Sequence, residues 1–386
     1  MERQKTILCL TCVTLGRPFM IYAKQMGARV IVLTADSCKN DNWPKEIDRL
    51  VTIKNILDPK AIREAVDKLI YQDEEIIDLV VALADQDVEN GAMLRDHLRL
   101  PGMKESEARF FRDKLAMRMK AQEAGIPVPP FTHAIHRGKV FGYMQEVEPP
   151  YMLKVRDGVA AVGVSKIARR EDMWPALDKL GSKVSNYLVE KYTAGDVYHV
   201  DSIVVDGKVQ FAVANRYGVP IFDLQKGGSY VSMMLDRKSK MYKRLIELNE
   251  KLIPALGKMT GITHAEYIHG KDDDTIYFLE AAARVGASKI PDVIYAATGV
   301  CLWHEWVKME LDPASYKAPK PTKNEYAGAI FTVSKHHHSD LSKFNAPEVV
   351  WTSKKPGLAG LMVHSPKAKR VEELLTEYDP AFAQFR

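Results

Sequence analysis

Residues 264–284 read HAEYIHGKDDDTIYFLEAAAR, in which two largely apolar runs flank a polar turn. The alternation on either side of the turn predicts two antiparallel strands, over 263–269 and 275–283. The most symmetrical pairing of these strands is centred on Asp273. This hairpin carries the most informative side chains of the chain.

Two glutamates face each other in the predicted hairpin, since Glu266 and Glu280 each lie seven residues from Asp273. Like charges directly opposite each other destabilise a sheet, and a divalent cation between them removes the repulsion. Carboxylate oxygens suit Mg²⁺, which is often held partly by substrate phosphates. With a period of two, Arg284 falls on the same face as Glu280. The same face is predicted to carry three apolar residues, Ile268, Ile276 and Phe278.

Upstream of the hairpin, two lysines are candidates for contacts with an anionic ligand. Lys154 ends a short apolar strand and precedes a loop of small residues that runs to Gly163. Such a loop can present backbone N–H groups to phosphate oxygens while the lysine supplies charge. Lys114 lies on an amphipathic helix predicted over 106–125. Taken alone, neither lysine distinguishes phosphate binding from a structural or surface role.

Polar groups also interrupt two predicted strands in the middle of the chain. Glu190 lies in an apolar strand over 187–192 and needs a partner, which the amino group of adenine would supply. His199 and Asp201 share one face of the next strand. They either reach a ribose or the metal, or they form a pair on the sheet surface.

Hydrophobic patterning divides the chain into two kinds of structure. The first hundred residues alternate apolar strands with helices, which predicts a small doubly wound parallel domain. The absence of a G-x-G-x-x-G motif after the first strand disfavours a dinucleotide. The middle of the chain has short strands and an Asp206-Gly207 hairpin turn, typical of antiparallel sheets. The predicted fold class is therefore α/β plus α+β.

Acidic residues follow the third strand predicted in the first domain, at Asp85, Asp87 and Glu89. Open α/β sheets bind ligands at the carboxyl ends of their strands, so these carboxylates are candidates for contact with a substrate amine. Acidic residues are also favoured at a helix N-terminus without any ligand, because they interact with the partial positive charge of the helix dipole. The sequence leaves both interpretations open.

Composition excludes several other classes of protein. The 386 residues are enough for more than one hydrophobic core, and a net charge of +5 is weak support for nucleic-acid binding. No run approaches the roughly 18 apolar residues of a membrane span. Thr11 and Thr14 interrupt the first apolar run, so we expect a buried strand rather than a signal peptide, and a cytoplasmic location.

Taken in order, these motifs resemble those of the ATP-grasp superfamily of carboxylate–amine ligases, in the branch of the L-amino-acid ligases. The resemblance covers most of the chain. It implies a Rossmann-like, pre-ATP-grasp domain over 1–105 and an ATP-grasp domain over 106–320, with a lid at about 129–190. Residues 321–386 would form the C-terminal cap of the ATP-grasp region.

The resemblance also implies roles for individual residues. The nucleotide would be bound by Lys114, Lys154, Gly163, Glu190, Lys191, Tyr192, His199 and Asp201. Glu266 and Glu280 would hold Mg²⁺, with Mn²⁺ as a substitute. Arg284 would steady the transferred phosphoryl group, and Lys154 would assist it as a second catalytic residue.

The implied activity is ATP-dependent ligation. A carboxylic acid, such as an amino acid or another small acid, is activated as an acyl phosphate and joined to an amine, with release of ADP and phosphate. The implied partners are the small-molecule carboxylate and amine, without nucleic acid or membrane, and a homodimer is one assembly that the resemblance allows.

The chain departs from the family pattern in three ways. Ala282 replaces the usual Asn, Val155 replaces the usual Pro, and Ala160-Ala161 stand in a loop that is normally richer in glycine. Ala282 keeps open an ATP-grasp-like regulatory protein that binds nucleotide without turnover. A carboxylase-like or kinase-like member of the same fold is the other alternative.

Overall fold

A computed structural model describes residues 3–219 and 228–386 of the chain. Its first sheet is parallel, with strands β1 (Thr6–Leu10), β2 (Arg29–Ala35), β3 (Arg49–Ile53) and β4 (Leu79–Ala82). The strand order is β3-β2-β1-β4. The helices of this region are α1 (Arg17–Gln25), α2 (Pro59–Tyr71) and α3 (Val88–His97). Alternation of apolar strands and amphipathic helices thus gives the predicted doubly wound arrangement.

The segment before the lid is broken into two helices rather than one. Helix α4 (Glu105–Ala108) ends before Asp113, and α5 (Lys114–Glu123) begins after it. The Asp113 carboxylate accepts hydrogen bonds from the backbone N–H groups of Leu115 and Ala116, which caps α5. The single helix predicted over 106–125 is therefore wrong, because an aspartate at this position starts a new helix. The break places Lys114 at the first turn of α5.

The second sheet lies between residues 131 and 191 and is antiparallel. Its strands are β5 (Phe131–His133), β6 (Tyr151–Val155), β7 (Val164–Ile167) and β8 (Tyr187–Lys191), in the order β5-β8-β6-β7. Helices α6 (Arg137–Glu146) and α7 (Met173–Leu180) accompany it. Because Met152 pairs with Glu190 across β6 and β8, Lys154 is a diagonal neighbour of Glu190.

The third sheet is also antiparallel and runs through the rest of the described chain. Its strands are β9 (Gly195–Val205), β10 (Lys208–Tyr217), β11 (Tyr230–Met234), β12 (Gly261–Gly270), β13 (Ile276–Ala282), β14 (Tyr326–Val333), β15 (Val349–Thr352) and β16 (Leu358–Ser365). Their order is β13-β12-β9-β10-β11-β14-β16-β15. The strands predicted for the C-terminal cap thus continue the sheet that contains the glutamate hairpin, and the domain boundaries stay predictions.

Helices cover the third sheet and supply its core. They are α8 (Lys240–Leu256), α9 (Ile290–Thr298), α10 (Leu302–Leu311) and α11 (Ala368–Phe382).

The turn between β9 and β10 has positive φ at Asp206 (48°) and Gly207 (73°), as a two-residue hairpin requires. In the described part of the chain, no helix is both long enough and apolar enough to cross a membrane.

The register of β12 and β13 brings the two glutamates together. Glu266 pairs directly with Glu280, as predicted. Immediately beyond this pair the register shifts by one residue, so that Leu279 forms a β-bulge. The bulge turns Ile276 and Phe278 to the other face, where they pack in the core beneath α5 and α8. The expectation that these two residues share the glutamate face is therefore wrong.

Candidate active site

A cavity of about 470 Å³ collects most of the residues singled out in the sequence. Its wall is formed by the loop after β4, the start of α5, the second sheet and one face of the third sheet. The predicted residues on this wall are Lys114, Lys154, Glu190, Lys191, Tyr192, Glu266, Glu280 and Arg284. The residues that depart from the family pattern also line the cavity, namely Val155, Ala160, Ala161 and Ala282.

The loop between β6 and β7 closes one side of the cavity with its backbone. Lys114 Nζ donates a hydrogen bond of 2.8 Å to the Gly158 carbonyl. Ala160 (φ 51°) and Ala161 (φ 58°) adopt the left-handed conformation that glycine tolerates best. Gly163 (φ 72°) lies behind the wall, where an added Cβ would come 2.9 Å from Val155 Cγ1. Gly163 is therefore explained by the turn it makes, whereas its predicted contact with nucleotide stays a prediction.

Lys114 and Glu280 form an ion pair inside the cavity. Lys114 Nζ lies 2.7 Å from Glu280 Oε2, and the lysine side chain is 10% exposed. Burial by itself would raise the pKa of Glu280, but the Lys114 ammonium outweighs it and, with Lys154, lowers that pKa to about 2. Glu280 is thus ionised at neutral pH, and its charge is balanced by a lysine that could instead face a phosphate.

Glu190 has protein partners on two sides. Arg118, on α5, is fully buried and donates to Glu190 Oε2 from Nε at 3.2 Å and from Nη2 at 3.0 Å. Lys154 Nζ contacts the other carboxylate oxygen. Burial would raise the pKa of Glu190, but Lys154 and Arg118 hold it below its usual value.

The partners that a buried Glu190 needs are therefore supplied by the protein itself, and its contact with adenine stays a prediction. Sequence reasoning missed Arg118. It lies four residues after Lys114, a spacing that places both residues on one face of a helix, and this is the signal that would have found it.

Arg284 forms an ion pair with an aspartate in the loop that follows β4. Its Nη2 lies 2.6 Å from Asp85 Oδ2. Burial would lower the pKa of Arg284, but Asp85 more than compensates and raises it. Of the acidic residues after β4, Asp85 faces the cavity, whereas Asp87 is fully buried and accepts a 3.0 Å hydrogen bond from the Cys12 backbone N–H.

His199 and Asp201 are enclosed behind the cavity wall rather than exposed on it, and both are fully buried. His199 Nδ1 lies 2.6 Å from Asp201 Oδ2, and His264 Nδ1 lies 2.9 Å from Asp201 Oδ1. Neither residue lines the cavity, because Asp201 is held between two imidazoles within the sheet. Their contact with a ribose or a metal stays a prediction.

His264 connects this buried group to the glutamate hairpin. It precedes Glu266 by two residues on β12, and its Nε2 lies 3.4 Å from Glu266 Oε1. Burial would lower the pKa of His264, but Asp201 raises it to about 9. Sequence reasoning did not assign a role to His264, although the period of two along the strand places it on the face of Glu266.

One known ligase is similar to this chain in sequence over part of its length. No protein-family model matches the sequence. The L-arginine-specific L-amino acid ligase of Bacillus subtilis is 24% identical over 261 residues, which are 66% of this chain and 61% of that relative. The match therefore spans less than two thirds of that relative's length.

Solved structures match almost the whole chain. The L-amino acid ligase from Bacillus licheniformis superposes with a TM-score of 0.76, at 19% identity over 98% of both chains. The carboxyaminoimidazole ribonucleotide synthase from Aspergillus clavatus, solved with ATP, has a TM-score of 0.75 at 16% identity over 99% of both chains. The protein has the ATP-grasp fold, so the predicted fold class and the resemblance to this superfamily are confirmed at the level of fold.

Proposed function

We propose that the protein is an ATP-dependent carboxylate–amine ligase that activates an amino acid or another small acid as an acyl phosphate. The observation that carries the proposal is the cavity in which Glu266 and Glu280 lie opposite each other, together with Lys114, Lys154 and Arg284. Two carboxylates and three cations are the groups that a nucleoside triphosphate and its metal require. The similarity to L-amino acid ligases in sequence and fold supports this assignment.

The side chains would act mainly by positioning the reactants and balancing their charge. Lys114 and Lys154 would offset the charge of the triphosphate, which requires Lys114 to exchange Glu280 for a phosphate oxygen. Arg284 would stabilise negative charge as the substrate carboxylate attacks the γ-phosphate, forming an acyl phosphate and releasing ADP. The amine then attacks the acyl carbon, an amide bond forms, and phosphate leaves. The second sheet would cover the site and exclude water from the acyl phosphate.

The two glutamates fit a magnesium ion by the chemistry of their oxygen donors. Their strands pair so that both carboxylates reach the same cavity, and the low pKa of Glu280 keeps it ionised for coordination. When bound, Mg²⁺ would neutralise charge on the β- and γ-phosphates. Since the side chain of Ala282 offers no ligand atom, Glu266 and Glu280 would supply the protein's carboxylate oxygens, and Mn²⁺ would substitute for Mg²⁺.

The substrates would be a small carboxylic acid and a small amine. The Bacillus subtilis relative is named for L-arginine, and a basic amino acid is accordingly the first substrate to test. The proposal includes a cytoplasmic location and a homodimer as the assembly of the protein. Light scattering of the purified protein would measure the oligomeric state.

Acceptor dependence of ADP release tests the proposal against its alternatives. Purified protein would be incubated with ATP, Mg²⁺ and pairs of L-amino acids, beginning with L-arginine, while ADP, phosphate and amide product are measured. We expect ADP release that requires both substrates and equals the amide formed. Nucleotide binding without turnover under every pairing would favour a regulatory protein. Dependence on bicarbonate, or a stable phosphorylated product, would favour a carboxylase-like or kinase-like member of the fold.

A further inference from the structure

We propose that Tyr217 and the His264–Asp201 pair are positioning residues, which hold one oxygen of Glu266 and leave the other for the metal–nucleotide complex. The inference rests on the proposed function, because it takes Glu266 to be a metal ligand. It adds to that function a reason why Glu266 presents a defined oxygen to the cavity.

The contacts of Glu266 are concentrated on one of its two oxygens. The Tyr217 hydroxyl donates a 2.8 Å hydrogen bond to Oε1, and His264 Nε2 lies 3.4 Å from the same atom. Among the described residues, the hydrogen bonds recorded for this carboxylate all end on Oε1. Glu266 also lines the cavity. Oε2 is therefore the oxygen left to coordinate a cation.

His264 is itself fixed by a chain of hydrogen bonds that runs across the third sheet. Asp201 can only accept, so the Nδ1 atoms of His264 and His199 both carry protons that they donate to its two oxygens. His199 Nε2 then lies 2.8 Å from the Ser232 hydroxyl on β11. All four residues are at most 6% exposed, so water does not compete for these bonds. These hydrogen bonds set the orientation of the His264 ring next to Glu266.

The same three residues could be considered a metal site of their own. One ligand atom each from His199, Asp201 and His264 lie within 4.8 Å of one another. Both imidazoles, however, already hydrogen-bond to Asp201 directly, at 2.6 and 2.9 Å. The surroundings are also tight, since a Cβ added at Gly286 would come 2.7 Å from Asp201 Oδ1. We therefore assign the group to positioning.

Tyr217→Phe removes the shorter contact to Glu266 while keeping the ring. The matched control is Tyr267→Phe. Tyr267 is fully buried on β12, on the opposite face of the sheet, and its hydroxyl donates a 2.9 Å hydrogen bond to Asn249 Oδ1. Both variants lose one buried hydroxyl and its hydrogen bond to a side-chain oxygen, and Tyr217→Phe also loses the 3.3 Å contact of the hydroxyl with His264 Nε2. Their effects on folding should therefore be comparable. Only Tyr217→Phe alters the surroundings of Glu266.

The measurement is Mn²⁺ binding in the presence of saturating ADP, followed by electron paramagnetic resonance, with ADP affinity in EDTA measured alongside. We expect Tyr217→Phe to bind Mn²⁺ about tenfold more weakly, as is typical when a group that orients a metal ligand is lost. Tyr267→Phe should bind Mn²⁺ like wild type, and the metal-free affinity for ADP should be unchanged in both variants. His264→Gln should weaken Mn²⁺ binding in the same direction.

The outcomes separate this inference from the proposed function. Wild-type Mn²⁺ affinity in Tyr217→Phe, with the wild-type protein binding Mn²⁺·ADP, would overturn the inference and leave the ligase proposal standing. A wild-type protein that binds no Mn²⁺ with ADP would overturn both. Metal that copurifies with wild type, withstands EDTA and is lost in Asp201→Asn would overturn the positioning role in favour of a buried metal site.

Discussion

Lys154→Met removes one of the two cations that neutralise Glu190 while retaining most of the aliphatic stem. Lys154 is 16% exposed and the Glu190 side chain 2%, so the pair is largely sheltered from solvent. The methionine can still pack along β6, so loss of charge dominates the effect. Two properties should change together: the stability of the free protein and its response to nucleotide.

The magnitude of each change follows from the contacts. Removing one partner of a buried ion pair costs about 3–5 kcal/mol when nothing else compensates. Arg118 remains, with two hydrogen bonds to Glu190, so we expect a smaller loss of about 2 kcal/mol in the free energy of unfolding. At 100 times its dissociation constant, Mg·ATP should stabilise wild type by about 2.7 kcal/mol. If the variant binds 100-fold more weakly, its gain falls to about 0.4 kcal/mol at the same concentration.

Thermal unfolding with and without Mg·ATP measures both effects. Lys154→Met should melt a few degrees below wild type without nucleotide and should gain little when nucleotide is added. Lys179→Met, at an exposed position on α7, is the control and should match wild type in both conditions. An equal nucleotide-induced shift in Lys154→Met and wild type would refute Lys154 as a phosphate ligand.

Three further substitutions test other parts of the structure. Glu280→Gln should reduce ADP release by at least about 100-fold, because it removes a charged metal ligand, and near-wild-type turnover would contradict the metal assignment. Burial raises the pKa of Asp87 from 3.8 to about 6. The protonated carboxyl group therefore contributes its full stabilisation of the folded protein below pH 3.8, and this contribution is lost as the pH rises through 6. Asp87→Asn should therefore exceed wild type in unfolding free energy by up to about 3 kcal/mol at pH 7.5, with no such advantage near pH 4, as pH-dependent unfolding would show. Gly163→Ala should lower the melting temperature, because φ is 72° and the new Cβ would approach Val155 Cγ1 to 2.9 Å; Gly138→Ala, where a Cβ meets nothing within 4 Å, should not.

Strand periodicity was sufficient to predict the central pair of the site. Glu266 and Glu280 are opposite each other because their spacing from the turn agrees with the observed register at that point. The neighbouring residues could not be placed in the same way, since the bulge at Leu279 turns Ile276 and Phe278 to the other face. A bulge depends on packing against helices distant in sequence, which alternation along a strand does not encode.

The pairing of residues distant in sequence was the other part that the sequence could not supply. Glu190 is neutralised by Arg118, which lies 72 residues away, and Arg284 by Asp85, 199 residues away. Each pair joins elements of different sheets or helices, so its formation depends on how these elements pack. Local signals were more informative. Asp113 precedes a helical pattern and caps the start of α5, and the preference of aspartate for this capping position is the signal that predicts the break between the two helices.

The fate of the carboxylate oxygen tests the central claim most directly. An acid that supports ADP release would be labelled with ¹⁸O in its carboxylate and incubated with the protein, ATP, Mg²⁺ and the amine, and the released phosphate analysed by mass spectrometry. If an acyl phosphate forms, one carboxylate oxygen leaves with the phosphate, so each amide formed should be accompanied by one ADP and one ¹⁸O-labelled phosphate. Unlabelled phosphate, or AMP and pyrophosphate in place of ADP, would contradict phosphoryl transfer to the acid.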